Sequence, residues 1–158
     1  MKGSDEQFMK RAIELARLGM DGGKGGPFGC VVAKDGAIIG EGNNQVTSTH
    51  DPTAHAEVVA IRNACDALGS FQLEGCSLYT SCEPCPMCLG AIYWARPEKV
   101  FFACTREDAA SVGFDDELIY NELMLPNADR IRVMVNLLRE EGIELFQEWA
   151  AKPDKIEY

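Results

Sequence analysis

The chain has 158 residues, one domain of ordinary size that would bury roughly two-thirds of its unfolded surface. Its 46% hydrophobic and 25% charged residues are those of a soluble globular protein, with no apolar run long enough for a membrane span and no signal-peptide pattern. The 15 Lys and Arg against 25 Asp and Glu give a formal charge of −10, with the basic residues scattered singly, which weighs against RNA or DNA as a binding partner. The seven cysteines are odd in number, and one pair is better used on metal than in a bridge, so a reducing, cytoplasmic location is expected.

In chain order, Phe8, Ala12, Ile13, Ala16 and Met20 recur at helical spacing and predict an amphipathic helix over residues 5–20. Residues 21–26 form a glycine-rich loop without the Gly-Lys-Ser/Thr ending of a phosphate loop, and read as a connector. Residues 28–33 and 37–41 are predicted strands joined by Lys34-Asp35-Gly36, a hairpin signal. A helix follows over about 52–68, with Asp51 as N-cap, Pro52 at the first position and His55 at the end of the first turn. Next come a strand at 76–80, a helix over 84–95 opened by Pro84, and a strand at 99–104. Residues 115–123 read as a helix, 130–135 as a strand and 143–151 as a last helix. This alternation predicts an α/β fold over residues 1–158, a mixed sheet covered by helices on both faces.

Two short motifs carry the chemistry. His55-Ala56-Glu57 and, 27 residues later, Pro84-Cys85-Pro86-Met87-Cys88 form the His-x-Glu…Pro-Cys-x-x-Cys signature of zinc-dependent nucleobase and nucleoside deaminases. One imidazole and two thiolates give zinc three ligands and leave a fourth position for water, whose pKa the metal lowers towards neutrality. Glu57 is not needed as a ligand and is free to move protons. Cys85 and Cys88 share a helix face, and a helix N-terminus favours the thiolate. His55 and Glu57 are two apart and would not share a face, so the signature, not the spacing, places both at one metal.

Other readings use the same residues. Cys82, Cys85 and Cys88 resemble the start of a ferredoxin motif, but Ile92 stands where the fourth cysteine belongs. A closed structural site of Cys82, Cys85, Cys88 and His55 would leave Glu57 and Pro84 without a role. Buried thiols without metal do not account for the His-x-Glu partner. Cys30, Cys65, Cys76 and Cys104 lie in apolar stretches and read as core, and Trp94 reads as packing.

His50 to Glu57, Gly25-Gly26-Pro27-Phe28-Gly29, Thr80 to Pro97, Gly113-Phe114-Asp115-Asp116 and the terminal Glu157-Tyr158 together resemble the bacterial guanine deaminases of the cytidine deaminase superfamily. The resemblance runs from about Phe8 to the last residue and fades between Asn127 and Glu141. It implies a three-layer α/β/α sandwich with a mixed five-stranded sheet. It also implies one zinc on His55, Cys85 and Cys88, and hydrolysis of guanine to xanthine and ammonia, with Glu57 as the catalytic proton carrier. By the same resemblance Asn44 hydrogen-bonds the purine, Phe28 lies against its face, and Asp116, or its neighbour Asp115, accepts from N1–H and the exocyclic amine. Residues 152–158 would close the pocket, with Tyr158 over the base. The partner is then a small purine base, with no nucleic acid and no membrane, and the protein a homodimer able to exchange C-terminal segments.

Taken as residues alone, Asn44 after Asn43 suits a turn, Phe28 suits the core, and Asp115-Asp116 suit a helix start. A tRNA adenosine deaminase shares the zinc motifs, but the charge and the acidic pair argue against it. Guanosine, other aminopurines and amino-triazines stay open as substrates. A non-catalytic zinc scaffold would have no need of Glu57.

Overall fold

The computed structural model describes residues 4–158, and the first helix starts at a reciprocal cap. The Ser4 hydroxyl accepts from the Gln7 N–H while the Gln7 side chain accepts from the Ser4 N–H, opening α1 (Asp5–Asp21). Its buried stripe is Phe8, Ala12, Leu15, Ala16 and Gly19; Ile13 and Met20, expected on that stripe, face outwards. The stripe turns towards the small residues because they let the helix lie close to the sheet. A Cβ at Gly19 would come within 2.9 Å of the Asn43 side chain.

β1 (Gly29–Lys34) and β2 (Ala37–Asn43) make the predicted hairpin. Asp35 and Gly36 both take positive φ, 53° and 81°, the turn whose twist matches that of the strands. β3 (Cys76–Cys82) pairs antiparallel with β1, and β4 (Lys99–Cys104) parallel with β3, giving the order β2-β1-β3-β4. The sheet is mixed as expected but has four strands among the described residues, not five. Residues 130–135 form no ladder. The Arg130 side chain donates to the carbonyls of Glu122 and Leu125, and the Ile131 N–H goes to the Glu122 carboxylate. Alternating apolar residues become a strand only beside a neighbour, and here the Ile131 N–H is taken by the Glu122 side chain of the preceding helix.

Strand alternation gives the sheet two faces. On one, Val31, Ala33 and Tyr79 pack with Phe8, Ala12 and Leu15 of α1, and Tyr79 stacks on Phe101 at 4.9 Å. On the other, Cys30, Val32 and Leu78 meet Ala56, Ala60 and Ala64 of α3 (Ala56–Leu68) and Ile92 and Ala95 of α4 (Pro86–Ala95). These are the three layers expected. α3 sits hard on β2: a Cβ at Gly42 would strike the Ala56 carbonyl and lie 2.6 Å from the Ala60 nitrogen. The short helices α2 (Val46–Thr49) and α5 (Arg106–Ser111) belong to the same compact unit, which ends at Asp116.

A second unit, Glu117–Tyr158, holds α6 (Glu117–Leu123), a 3-10 turn at Asn127–Asp129 and α7 (Arg139–Ala151), none of whose residues is buried. No helix of the described residues is long and apolar enough to cross a membrane.

Candidate active site

Both motif segments meet at helix N-termini. The sequence places those helices from residues 52 and 84; they begin at Ala56 and Pro86, so His55 and Cys85 are N-caps with extended backbone. Pro52 starts no helix because Asp51 closes a local turn, its carboxylate accepting from the Thr53 N–H at 2.8 Å and the Thr53 hydroxyl at 2.7 Å. Cys85 precedes Pro86, which holds it extended, while Pro86 takes the first helical position, where a missing N–H costs nothing. With His55 off the helix, its failure to share a face with Glu57 no longer separates them. A cap and the second residue of the same helix can converge on one point.

They do converge. His55 Nδ1 lies 3.5 Å from both Cys85 Sγ and Cys88 Sγ. Among the described residues this is the one group of His, Cys, Asp or Glu donors gathered within 4.8 Å. A tetrahedral zinc at ordinary bond lengths separates its nitrogen and sulfur ligands by about 3.6 Å, so the donor set fits zinc with little movement. Cys82 stays outside the set, its sulfur donating to the Thr105 carbonyl at 3.6 Å, and Ile92 is buried in the core. The closed four-ligand site and the iron–sulfur reading both fall on that geometry. Of the remaining thiols, Cys30 and Cys76 are buried and Cys65 half-buried, but Cys104 is exposed on β4; Trp94 is exposed too, against expectation.

The charges favour thiolates. Two helix N-termini bring positive partial charge to the donors, which stabilises the anionic sulfurs that a metal needs. A hydrogen bond from the Cys88 thiol, with one from His55, pushes Cys85 down to about 4. Cys88 is pushed well up by that bond, by burial and by nearby Glu57. His55 is raised by its bond with Cys85. Glu57 itself is buried, its Oε1 accepting from the Thr80 hydroxyl at 3.1 Å and its Oε2 lying 3.4 Å from Cys88 Sγ. Burial pushes its pKa above the ordinary 4.5. The arrangement is a three-donor metal corner with an acid–base group beside it.

A second set of residues forms a wall near Gly26. The Asn44 amide oxygen accepts from the Gly26 and Val46 N–H groups at 3.3 and 3.2 Å. Among the described residues no buried side-chain nitrogen or oxygen lacks a partner, so the Asn44 amide nitrogen reaches accessible space. Asn44 therefore offers a ligand a donor, where its residue type alone offered both donor and acceptor. A Cβ at Gly25 would strike that amide oxygen. Phe28 is half-buried and meets Phe114 edge-on at 4.9 Å, with Gly26 close to both rings. Phe114 was not singled out from the sequence; its signal was its place beside the acidic pair.

Asp116 is half-buried, with its pKa raised by burial and by the Cys85 charge, whereas Asp115 is exposed. Tyr158 lies in the second unit and is 71% exposed.

Residues 2–104 match the family described as the cytidine and deoxycytidylate deaminase zinc-binding region. The guanine deaminase of Bacillus subtilis is 56% identical over 97% of this chain and 98% of its own length. The tRNA-specific adenosine deaminase of Aquifex aeolicus is 44% identical over 62% of this chain and 64% of its own. The X-ray structure of the guanine deaminase from Bacillus subtilis superposes with a TM-score of 0.96 at 55% identity, covering 98% of this chain and 99% of that one.

Proposed function

The chain belongs to the cytidine and deoxycytidylate deaminase family, and from that premise we propose that it is a zinc-dependent guanine deaminase, converting guanine and water to xanthine and ammonia. One observation carries the choice of base. The likeness to a guanine deaminase is 56% identity over 97% of the chain, while two tRNA-specific adenosine deaminases reach 44% over 62% and 37% over 87%. The charge of −10 supports it, since a tRNA backbone would be repelled.

In this reading His55, Cys85 and Cys88 hold the metal, which when bound supplies a Lewis acid that activates water for attack at C2. Glu57 takes the water proton, passes it to the ring nitrogen, and delivers a proton to the amine as it leaves. Asp116 accepts from N1–H and the exocyclic amine, the Asn44 amide nitrogen donates to an acceptor on the base, and Phe28 lies against its face. Asp116 suits the role better than Asp115 because it is half-buried while Asp115 is exposed. Residues 152–158 cover the base with Tyr158, in their own chain or exchanged within a homodimer, as one enzyme of residues 1–158 acting in the cytoplasm.

The test is ammonia release across guanine, adenine, cytosine, guanosine, other aminopurines and amino-triazines, for the parent and for Asp116→Ala. Guanine should be preferred, and Asp116→Ala should cost more on guanine than on any substrate lacking the donor pair. Comparable rates on adenine would refute the edge-reading argument and favour the adenosine-deaminating alternative.

A further inference from the structure

We propose that Thr80 is a positioning residue for the catalytic carboxylate: its hydroxyl fixes one oxygen of Glu57 so that the other faces the metal donors. The inference rests on the reading of Glu57 as the proton carrier. β3 sends Leu78, Thr80 and Cys82 to the face covered by α3 and α4, by simple alternation. Leu78 on that face is packed with Cys30, Val32, Ala60 and Ile92, and Thr80 pairs in register with Cys30 on β1 and Phe102 on β4. A central strand in this setting calls for a β-branched apolar side chain, and Val would fill the space of Thr. Thr80 is only 1% exposed, so its hydroxyl cannot turn to water. It is aimed instead at Glu57 Oε1, 3.1 Å away.

That bond has a geometric consequence. Glu57 is the second residue of α3, and its side chain leaves the helix start with three rotatable bonds. Tying Oε1 to a strand in the middle of the sheet removes that freedom and leaves Oε2 on the side of Cys88 Sγ, 3.4 Å away. A carboxylate that must take a proton from one partner and give it to another needs one oxygen held in place. The strand supplies the fixed point for that oxygen.

The experiment compares Thr80→Val, which keeps the shape and deletes the hydroxyl, with Thr80→Ser, which keeps the hydroxyl. Both are assayed on guanine for kcat and KM, with zinc content and melting temperature measured alongside. Thr80→Val should lower kcat by about tenfold to a hundredfold, the scale of a mis-set catalytic group, with KM changed less than about twofold and zinc at the parent level. Thr80→Ser should recover most of the rate. In a Glu57→Gln background, Thr80→Val should have no further effect on kcat, since there is no proton carrier left to position. Thr80→Val with the parent's kcat, or Thr80→Ser as slow as Thr80→Val, would overturn the proposal. So would an equal loss in the Glu57→Gln background. If Glu57→Gln itself retains the parent's turnover, the proton-carrier reading has failed and this inference falls with it. A silent Glu57→Gln protein beside a fully active Thr80→Val protein sinks the positioning role alone.

Discussion

Cys85 and Cys88 must both be thiolates to hold the metal, so its uptake displaces the thiol protons of the pair. Their surroundings pull Cys85 down and push Cys88 up, which makes Cys85 the readier thiolate. Cys85→Ser removes the thiolate and leaves a hydroxyl that does not ionise. Zinc in the purified variant should drop from one per chain to almost none, with a lower melting temperature. Full occupancy by metal analysis would take Cys85 out of the ligand set.

Glu57 shows the opposite tension. Burial raises its pKa, so the folded metal-free chain holds that proton more tightly than the unfolded chain does. Its contribution is therefore most favourable below the unfolded value of 4.5 and is lost as pH rises through the higher folded value. Glu57→Gln carries no such charge. In chelator-treated protein it should melt higher than the parent at pH 8, and the gap should close as pH falls to about 4.5. A gap that stays constant with pH would mean that the buried charge is not the source. The ligands and Glu57 were legible in the sequence because their chemistry demands specific residue types at specific spacing. Thr80 was not, because a threonine in a strand looks like any β-branched filler until its hydroxyl is seen to have one place to go.

Among the elements, the helices carry the site only because their starts are set to the residue. They start later than the sequence suggests, by four residues for α3 and two for α4. In each case a proline that could open a helix stands too early: the Asp51–Thr53 bonds decide against Pro52, and Pro86, holding Cys85 extended, decides against Pro84. The first turn of α3 is placed by Gly42, which lets the β2 backbone touch Ala56 and Ala60. Gly42→Ala puts a methyl into that contact. We expect a loss of about 1–3 kcal/mol in chemical denaturation, the cost of overpacking a tight site. Zinc affinity should fall as well, because His55 moves with the turn. A variant as stable as the parent would show that α3 can retreat from β2 freely. The strand expected at residues 130–135 failed for a different reason. Its alternation is real, but a ladder needs a partner, and sequence periodicity names no partner.

For the whole molecule, two layers of helices on a mixed sheet followed directly from the order of strands and helices, whereas the division at Asp116 has no punctuation in the sequence to mark it. The C-terminal segment is the part whose function is tested by removal. Residues 153–158 are mostly polar and follow α7, so their loss should leave zinc content and melting temperature unchanged while sharply lowering guanine turnover. If the cover comes from a partner, mixing tail-deleted chains with Glu57→Ala chains should restore some activity. Unchanged kinetics after deletion would show a frayed end, and mixed chains that stay inactive would count only against exchange.

β4 remains the outermost strand of the sheet beside β3, with Val100 and Phe102 substantially exposed. During synthesis β4 is complete at Cys104, when about a third of the chain is still to be made. The nascent protein then carries a row of unpaired backbone donors and acceptors on β4 flanked by apolar side chains, a template for pairing with the next chain on the same message. Yield is therefore expected to fall with crowding on the polysome as well as with loss of stability in the finished protein. Chains that stop shortly after β4 should be the ones that collect in the insoluble fraction.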